Sequence, residues 1–242
     1  AKLKDVKFYE GLGSVYDKTQ RLRKLSGMLA DEFNLNKEKA EIAASISKSD
    51  LCSDLVNEYP DLQGLLGKYF ALSQGFEEDV SNAVSDHYLP LGNNSMTSKK
   101  PISYIVAISD KIDTLVGFFL INEKPTSSKD PFALRRSAIG LLRTIIDNKL
   151  NLKLRNLISY NIKLLEEQGV RKTNENSENE ILNFLKERMK NILKDKNIKN
   201  DIIEASISSY FSDNYFDLYK KNTLMNKYIN KEAGINAISS YK

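Results

Sequence analysis

Residues 101–143 constrain the fold of this 242-residue chain more than any other stretch, because they predict two adjacent helices of opposite character. In residues 102–121, apolar side chains recur at intervals of three and four positions, which predicts a helix with one buried face. Asp110 and Asp113 interrupt this apolar helix and share one of its faces. Two carboxylates on such a background require basic partners, a metal ion or a catalytic role.

The second helix of this stretch has the sequence of a well-formed helix start. Asp130 is predicted to accept hydrogen bonds from the first free amides as the N-cap residue, and Pro131 suits the first helical position. An apolar stripe that includes Ile139 and Ile146 is predicted to face the core. The opposite face carries three arginines, Arg135, Arg136 and Arg143. We therefore expect a basic surface beside the buried acidic helix.

The remaining sequence also favours helices, because no region sustains the alternation of apolar and polar residues that is typical of a strand. Ser177 and Glu180 have the spacing of a capping box at the start of one of these helices. Residues 169–176 are polar and are predicted to form a flexible loop or hinge. The fold class is predicted to be all-α. Helices are expected at residues 14–33, 37–59, 61–72, 76–87 and 151–168, from residue 177, and at residues 199–209 and 213–230.

Composition excludes several classes of protein. No run approaches the roughly 18 apolar residues that a membrane span requires, so no membrane association is expected. The single cysteine, Cys52, excludes an internal disulfide and a cysteine-based zinc cluster, and it fits a reducing, cytoplasmic location. The chain starts at Ala1 without methionine, and residues 236–242 contain no helix stop signal. We therefore predict an internal segment of a longer protein.

Positive charge is concentrated in the middle of the chain. The net charge is +4, whereas residues 99–155 contain 11 Lys and Arg against 5 Asp and Glu, a local excess of +6. A basic region on a nearly neutral body is expected of a phosphate-binding face, although a solvated helix face has a similar composition. The candidate anion-binding residues are Lys124, Lys129, Arg135, Arg136 and Arg143.

The candidate chemical groups each permit a structural interpretation as well. Asp110 and Asp113 could hold a metal ion or exchange a proton; alternatively, Asp113 pairs with a basic neighbour while Asp110 caps a turn or binds buried amides. His87, the only histidine, is predicted to make a structural hydrogen bond near a helix end. Gly64-Leu-Leu-Gly67 has the form of a nucleic-acid-clamping loop, but its helical surroundings favour close helix packing. No nucleotide-binding or zinc-binding motif is present in the sequence.

Six short blocks follow one another along the first 143 residues: 8–18, 48–56, 59–64, 87–90, 108–117 and 124–136, the last reading KPTSSKDPFALRR. In this order they resemble the β subunit of the bacterial two-subunit glycyl-tRNA synthetase. The later residues match that family only in helical character and position. Ser127 stands where many relatives have glycine, so the turn there is expected to be strained or to differ in shape.

The resemblance implies an HD-domain-like helical bundle at residues 1–168. Residues 169–242 would form a second helical region that leads towards an anticodon-binding module outside the chain. HD-type phosphohydrolases hold metal with a His-Asp pair and a later aspartate. By resemblance, Asp50, His87 and Asp110 would be remnants of that site, and the first histidine is missing. We therefore expect the fold to be retained and the metal to be lost.

The resemblance also implies a division of labour between subunits. The α subunit would activate glycine with ATP and Mg²⁺, while the β subunit would bind tRNA(Gly) and assemble into an α2β2 enzyme. We therefore expect no cofactor and no catalytic residue on this segment, and expect its five basic candidates to contact tRNA phosphates. Two alternatives stay open. One is a metal-dependent HD-type nucleotide phosphohydrolase with a divalent ion at Asp50 and Asp110, and the other is a scaffold that docks the α subunit without touching RNA.

Overall fold

The computed structural model describes residues 2–92, 95–126, 128–209, 213–229 and 231 of the chain. Helices form nearly all of the regular structure in these residues, which confirms the predicted all-α class. The α-helices are α1 (Val15–Glu32), α2 (Lys37–Ile46), α3 (Asp54–Glu58), α4 (Leu65–Ser73), α5 (Glu78–Asp86), α6 (Pro101–Leu120), α7 (Leu134–Asp147), α8 (Leu154–Glu167), α9 (Ser177–Asp195), α10 (Asn200–Ser209) and α11 (Tyr215–Ile229). None of the helices in the described ranges is long and apolar enough to cross a membrane.

Short elements complete the fold around these helices. Strands β1 (Lys7–Tyr9) and β2 (Gly13–Ser14) pair antiparallel and lead directly into α1. Ser14 then caps α1, because its Oγ accepts from the Asp17 amide at 3.2 Å while Asp17 Oδ2 accepts from the Ser14 amide at 2.8 Å. Three 3₁₀ helices are also present in the described chain, at Lys2–Lys4, Ser49–Cys52 and Pro60–Leu62.

Helix α6 lies at the centre of the molecule. Helices α1, α5, α7, α8 and α9 all pack against it, and 16 of its 20 residues are buried. The predicted burial of one face is confirmed, and burial extends around most of α6 because neighbouring helices surround it. Each large aliphatic side chain that is buried in this way contributes roughly 1.5–3 kcal/mol to folding. Gly117 allows close packing, since a Cβ at that position would lie 3.2 Å from Leu12 Cδ1.

The prediction of one helix at residues 37–59 is wrong, because the structure divides this segment into three helical elements. Helix α2 ends at Ile46, a 3₁₀ helix follows at Ser49–Cys52, and α3 starts after Ser53. Lys48 and Asp50 on either side of Ser49 are both buried. In a continuous α-helix, side chains two positions apart point in directions about 200° apart, so one helix face could not bury both.

The starts of α7 and α9 also differ from the prediction. Asp130 does accept from free amides, those of Leu134 at 2.8 Å and Arg135 at 3.0 Å, but Pro131 precedes the helix and Ala133 adopts a left-handed conformation with φ of 53°. The predicted capping box at Ser177 is absent, because helix α9 already begins at Ser177 and the Ser177 hydroxyl is buried without a partner.

Helix α9 packs against α6, α7 and α8, so residues on both sides of position 168 contribute to one apolar core. The proposed division of the chain into residues 1–168 and 169–242 stays a prediction. The predicted loop at residues 169–176 has no helical structure, as its polar composition indicated, and its flexibility stays a prediction. Ser127 and residues 236–242 lie outside the described residues, and the predictions about their turn and helix end stay predictions.

Candidate functional site

Asp113 is the centre of a buried ion-pair network. Arg21 donates to it twice, from Nε to Oδ1 at 2.7 Å and from Nη2 to Oδ2 at 3.0 Å, and Lys18 Nζ lies 3.1 Å from Oδ2. Burial alone would raise the pKa of Asp113, but Arg21 and Lys18 outweigh it and hold the pKa below its ordinary value. The structural interpretation, in which Asp113 pairs with basic neighbours, is therefore confirmed.

Asp110 joins the same network from the next turn of α6. Its Oδ1 lies 3.1 Å from Lys18 Nζ, and its Oδ2 accepts from Lys48 Nζ at 3.1 Å. The prediction that its carboxylate caps a turn or binds buried amides is wrong. Burial would raise the pKa of Asp110, but Lys18 and then Lys48 hold it well below its ordinary value. Asp110 is thus an ionised carboxylate between lysines.

His87 is fully buried at the C-terminal end of α5. Its Nδ1 lies 2.8 Å from the Val84 carbonyl oxygen, and its Nε2 lies 2.8 Å from Lys48 Nζ. Because a carbonyl can only accept, Nδ1 carries the proton and Nε2 accepts from the lysine ammonium. Burial and the charge of Lys48 hold the pKa of His87 well below its ordinary value, so the ring is neutral. The predicted structural hydrogen bond near a helix end is confirmed.

Asp50 lies on the other side of this network, in the Ser49–Cys52 turn. Its Oδ2 accepts from the Gly64 amide at 2.6 Å, and its Oδ1 is buried without a hydrogen-bond partner. A Cβ on Gly67 would lie 2.7 Å from Val84 Cγ1 and 3.1 Å from Asp50 Oδ2. The interpretation of Gly64-Leu-Leu-Gly67 as a close-packing sequence is therefore confirmed.

Lys111 supplies a further buried cation from α6. Its Nζ donates to the carbonyl oxygens of His87 at 3.1 Å and Leu89 at 2.7 Å, and so secures the turn after α5. Burial lowers the pKa of Lys111 to about 8. Gly140 of α7 makes room for this side chain, since a Cβ there would lie 2.9 Å from Lys111 Cε. We call Lys18, Arg21, Lys48, His87, Asp110, Lys111 and Asp113 the buried charge cluster.

Asp50, His87 and Asp110, which the resemblance predicts to be remnants of a metal site, do not fit a metal ion. Lys48 occupies both His87 Nε2 and Asp110 Oδ2, and Lys18 Nζ lies 3.1 Å from the other oxygen of Asp110 without a hydrogen bond to it. In the described part of the chain, no group of three or more His, Cys, Asp or Glu residues could hold a metal ion. A divalent ion that bridged His87 and Asp110 would have to displace the Lys48 ammonium from both.

The cations of this cluster could not be selected from local sequence patterns, because their partners are distant along the chain. Lys18 and Arg21 lie 95 and 92 positions before Asp113. One signal was present: Lys18 follows Val15 by three positions and precedes Leu22 by four, so it falls on the apolar stripe of α1. A lysine on such a stripe indicates a buried ion pair.

The basic candidates divide into two groups. Three of them hold the protein itself together. Lys124 Nζ bonds Glu180 Oε2 at 2.8 Å, and Arg135 Nη2 donates to the Thr126 carbonyl oxygen. Arg143 donates to the carbonyl oxygens of Gly92 at 3.0 Å and Ser95 at 2.7 Å. These contacts secure the loops before α6 and α7.

Lys129 and Arg136 are exposed, and neither forms an ion pair with any residue that the structure describes. Lys129 is held close to the start of α7, because its amide donates to Thr126 Oγ1 at 3.2 Å and the Thr126 carbonyl accepts from Arg135. The free amides of α7 are not available to an anion, since Asp130 already occupies those of Leu134 and Arg135. The two side chains, rather than the helix terminus, are therefore the groups that can bind an anion.

Arg188 of α9 adds a cation that the sequence analysis did not select. Its guanidinium lies over the Phe184 ring, 4.6 Å from the ring centre, and its Nε has no hydrogen-bond partner. Burial and then the nearby charge of Arg135 on α7 lower the pKa of Arg188. We call Lys129, Arg136 and Arg188 the basic surface.

Comparison with known proteins identifies relatives over nearly the whole chain. A family model described as glycyl-tRNA synthetase beta subunit matches residues 1–208. The glycine–tRNA ligase beta subunits of Ruegeria sp. and Clostridioides difficile are both 36% identical over 99% of this chain, which covers 33% and 35% of their lengths. That of Colwellia psychrerythraea is 41% identical over 85% of the chain and is covered over 30% of its length.

The chain thus spans about a third of the length of the curated relatives that it matches. The family match extends from the start of the chain into α10 and includes every residue of the buried charge cluster and the basic surface. The blocks that carry the sequence resemblance all lie inside it. On this match, the chain belongs to the glycyl-tRNA synthetase beta subunit family.

Proposed function

We propose that this chain is a segment of a glycine–tRNA ligase β subunit and that it contributes tRNA binding to the glycylation of tRNA(Gly). The family supports a role in charging tRNA with glycine. In this proposal ATP and Mg²⁺ act on the α subunit, and the two subunits assemble as α2β2. The segment itself carries no catalytic residue and no cofactor.

The observation that carries the proposal is the difference among the basic residues. Lys129 and Arg136 have exposed side chains without ion pairs among the described residues, whereas Lys124, Arg135 and Arg143 bind protein groups. Exposed cations attract phosphates without reading bases, and their binding is weakened by salt. The tRNA backbone is a polyanion that fits such a surface.

The experiment is replacement of Arg136 by alanine in the complete enzyme. We expect the KM for tRNA to rise, kcat for glycylation to change little, and the slope of log affinity against log salt to fall by about 1. Lys163→Ala is the matched control, since Lys163 is exposed on α8, outside the basic surface. An unchanged KM and salt slope in Arg136→Ala would exclude this residue from the tRNA surface.

A second candidate function is supported by exposed apolar side chains. Leu65, Tyr69 and Leu72 of α4 are 46%, 57% and 38% exposed and are spaced by four and three positions along the helix. Such a stripe suits a contact with another subunit, as in the scaffold interpretation. Co-purification of the α subunit with the Tyr69→Asp variant tests this function. If the variant folds normally but no longer co-purifies with the α subunit, docking through α4 is supported.

The phosphohydrolase alternative is the less supported one. It requires a divalent ion at Asp50 and Asp110, and a lysine ammonium group lies 3.1 Å from each oxygen of Asp110. We therefore do not propose hydrolysis of nucleotides by this segment.

A further inference from the structure

Lys48 connects three separate pieces of the chain through its ammonium group. It precedes the Ser49–Cys52 turn, and its side chain is buried. The Nζ atom lies 2.8 Å from His87 Nε2 at the end of α5 and 3.1 Å from Asp110 Oδ2 in α6. It also lies 4.1 Å from the centre of the Tyr88 ring. The imidazole nitrogen, the carboxylate and the aromatic ring each attract the positive charge of the ammonium.

This position demands a cation. Without one, the lone pair of His87 Nε2 and the carboxylate of Asp110 would lie close together in a largely buried site, where unpaired polar groups are costly. A metal ion and an ammonium group can both satisfy a neutral imidazole and a carboxylate. An ammonium carries a single charge and needs no further ligands, whereas a metal ion needs about four.

We propose that the Lys48 ammonium is a built-in cation, which takes the place of a metal ion in joining the turn after α2, the end of α5 and the middle of α6. The proposal explains why only fragments of a metal-ligand set are present: the ligands that remain are those that also suit an ammonium. It does not depend on the proposed role in tRNA binding.

The surrounding charges support this assignment. Burial would lower the pKa of Lys48, but Asp110 outweighs it and raises the pKa, so the amine is charged at neutral pH. Lys18 and Lys111 bring further positive charge to the same region. Together they compensate Asp110 and repel a second cation. The helix break between α2 and α3 is part of this arrangement, because it allows Lys48 and Asp50 both to be buried.

The test is cation replacement in the full chain. Lys48→Ala removes the ammonium and leaves space beside His87 and Asp110. The thermal midpoint is measured in EDTA and in excess Co²⁺ for the wild type, for Lys48→Ala and for Lys48→Ala with Asp110→Asn. We expect the wild type to have the same midpoint in both conditions. Lys48→Ala should lose about 10 °C in both conditions, because Lys18 and Lys111 still repel a metal ion from this position. The variant that also carries Asp110→Asn should regain part of this loss, because the carboxylate that Lys48 pairs with is then removed as well.

Three results would overturn the proposal. These are a wild-type midpoint that falls in EDTA, a Lys48→Ala midpoint equal to that of the wild type, and a Lys48→Ala midpoint that the added Asp110→Asn substitution does not raise. If Lys48→Ala yields no folded protein, Lys48→Met with Asp110→Leu replaces it. Removing both charges leaves no unpaired carboxylate and only His87 Nε2 without its donor, so this pair should fold when Lys48→Met alone does not. Failure of the double variant as well would also overturn the proposal.

Discussion

The buried charge cluster and the basic surface contain the same kinds of residue, but their environments give them opposite roles. In the cluster, Lys18, Arg21 and Lys48 each bond a carboxylate from another helix or turn. On the basic surface, Lys129 and Arg136 are exposed and have no carboxylate partner among the described residues. A buried cation must be paired within the protein, whereas a solvated one remains available to a ligand. Burial, rather than residue type, therefore separates structural cations from candidate binding cations.

The difference between buried and exposed charges can be tested most directly at Asp113. Asp113→Ala would leave Arg21 and Lys18 buried without their carboxylate, so we expect a loss of about 3–5 kcal/mol in the free energy of unfolding. Urea denaturation of the full chain measures this loss. Asp31→Ala is the control, because Asp31 pairs with Lys37 on the surface and should give no resolvable change. Equal effects of the two substitutions would contradict the distinction.

The cluster should also respond to acid. The pKa of Asp113 is lower in the folded protein than the value of about 3.9 expected in the unfolded chain, so the unfolded chain takes up the proton first. The stabilisation is present above about pH 4 and is lost as the pH falls through the folded pKa. Thermal midpoints measured between neutral pH and pH 3 should fall less steeply for Asp113→Asn than for the wild type. Parallel curves would show that another carboxylate dominates.

A third prediction separates loop-securing arginines from exposed ones. Arg143 makes two hydrogen bonds to loop carbonyls, so Arg143→Ala should cost about 2 kcal/mol and lower the thermal midpoint by about 6 °C. Arg136→Ala should leave the midpoint unchanged. Differential scanning calorimetry of both variants checks this. A destabilised Arg136→Ala would show that Arg136 belongs with the structural arginines.

The smallest stability effect is expected at Arg188, where the two roles meet. Arg188→Leu keeps an apolar side chain over Phe184 and removes the repulsion with Arg135, so the thermal midpoint should be unchanged or slightly higher. Its KM for tRNA in the complete enzyme should nevertheless rise and its salt slope fall by about 1. Arg188→Lys should restore most of the salt slope. If Arg188→Leu lowers the midpoint and leaves KM unchanged, Arg188 is a packing residue and not part of the basic surface.

Local chemistry explains which elements could be predicted from the sequence. The apolar periodicity of residues 14–33 and 102–121 predicts α1 and α6 within one residue at each end. The segment at residues 37–59 was predicted incorrectly, because local periodicity contains no information about the buried position that Lys48 and Asp50 occupy. At the start of α7, the acceptor role of Asp130 could be predicted because it depends on neighbouring residues. The left-handed conformation of Ala133 could not be predicted from these neighbours.

The sequence by itself determined the all-α class, the central helix and the family, because apolar spacing and ordered short blocks are properties of the chain alone. Only the tertiary structure decided which charges are paired. Arg21 reaches Asp113, and Lys48 reaches His87 and Asp110, across separations of 39 to 92 residues. The energy of an ion pair depends on the distance between charges and on their burial, and neither quantity is defined before the helices pack.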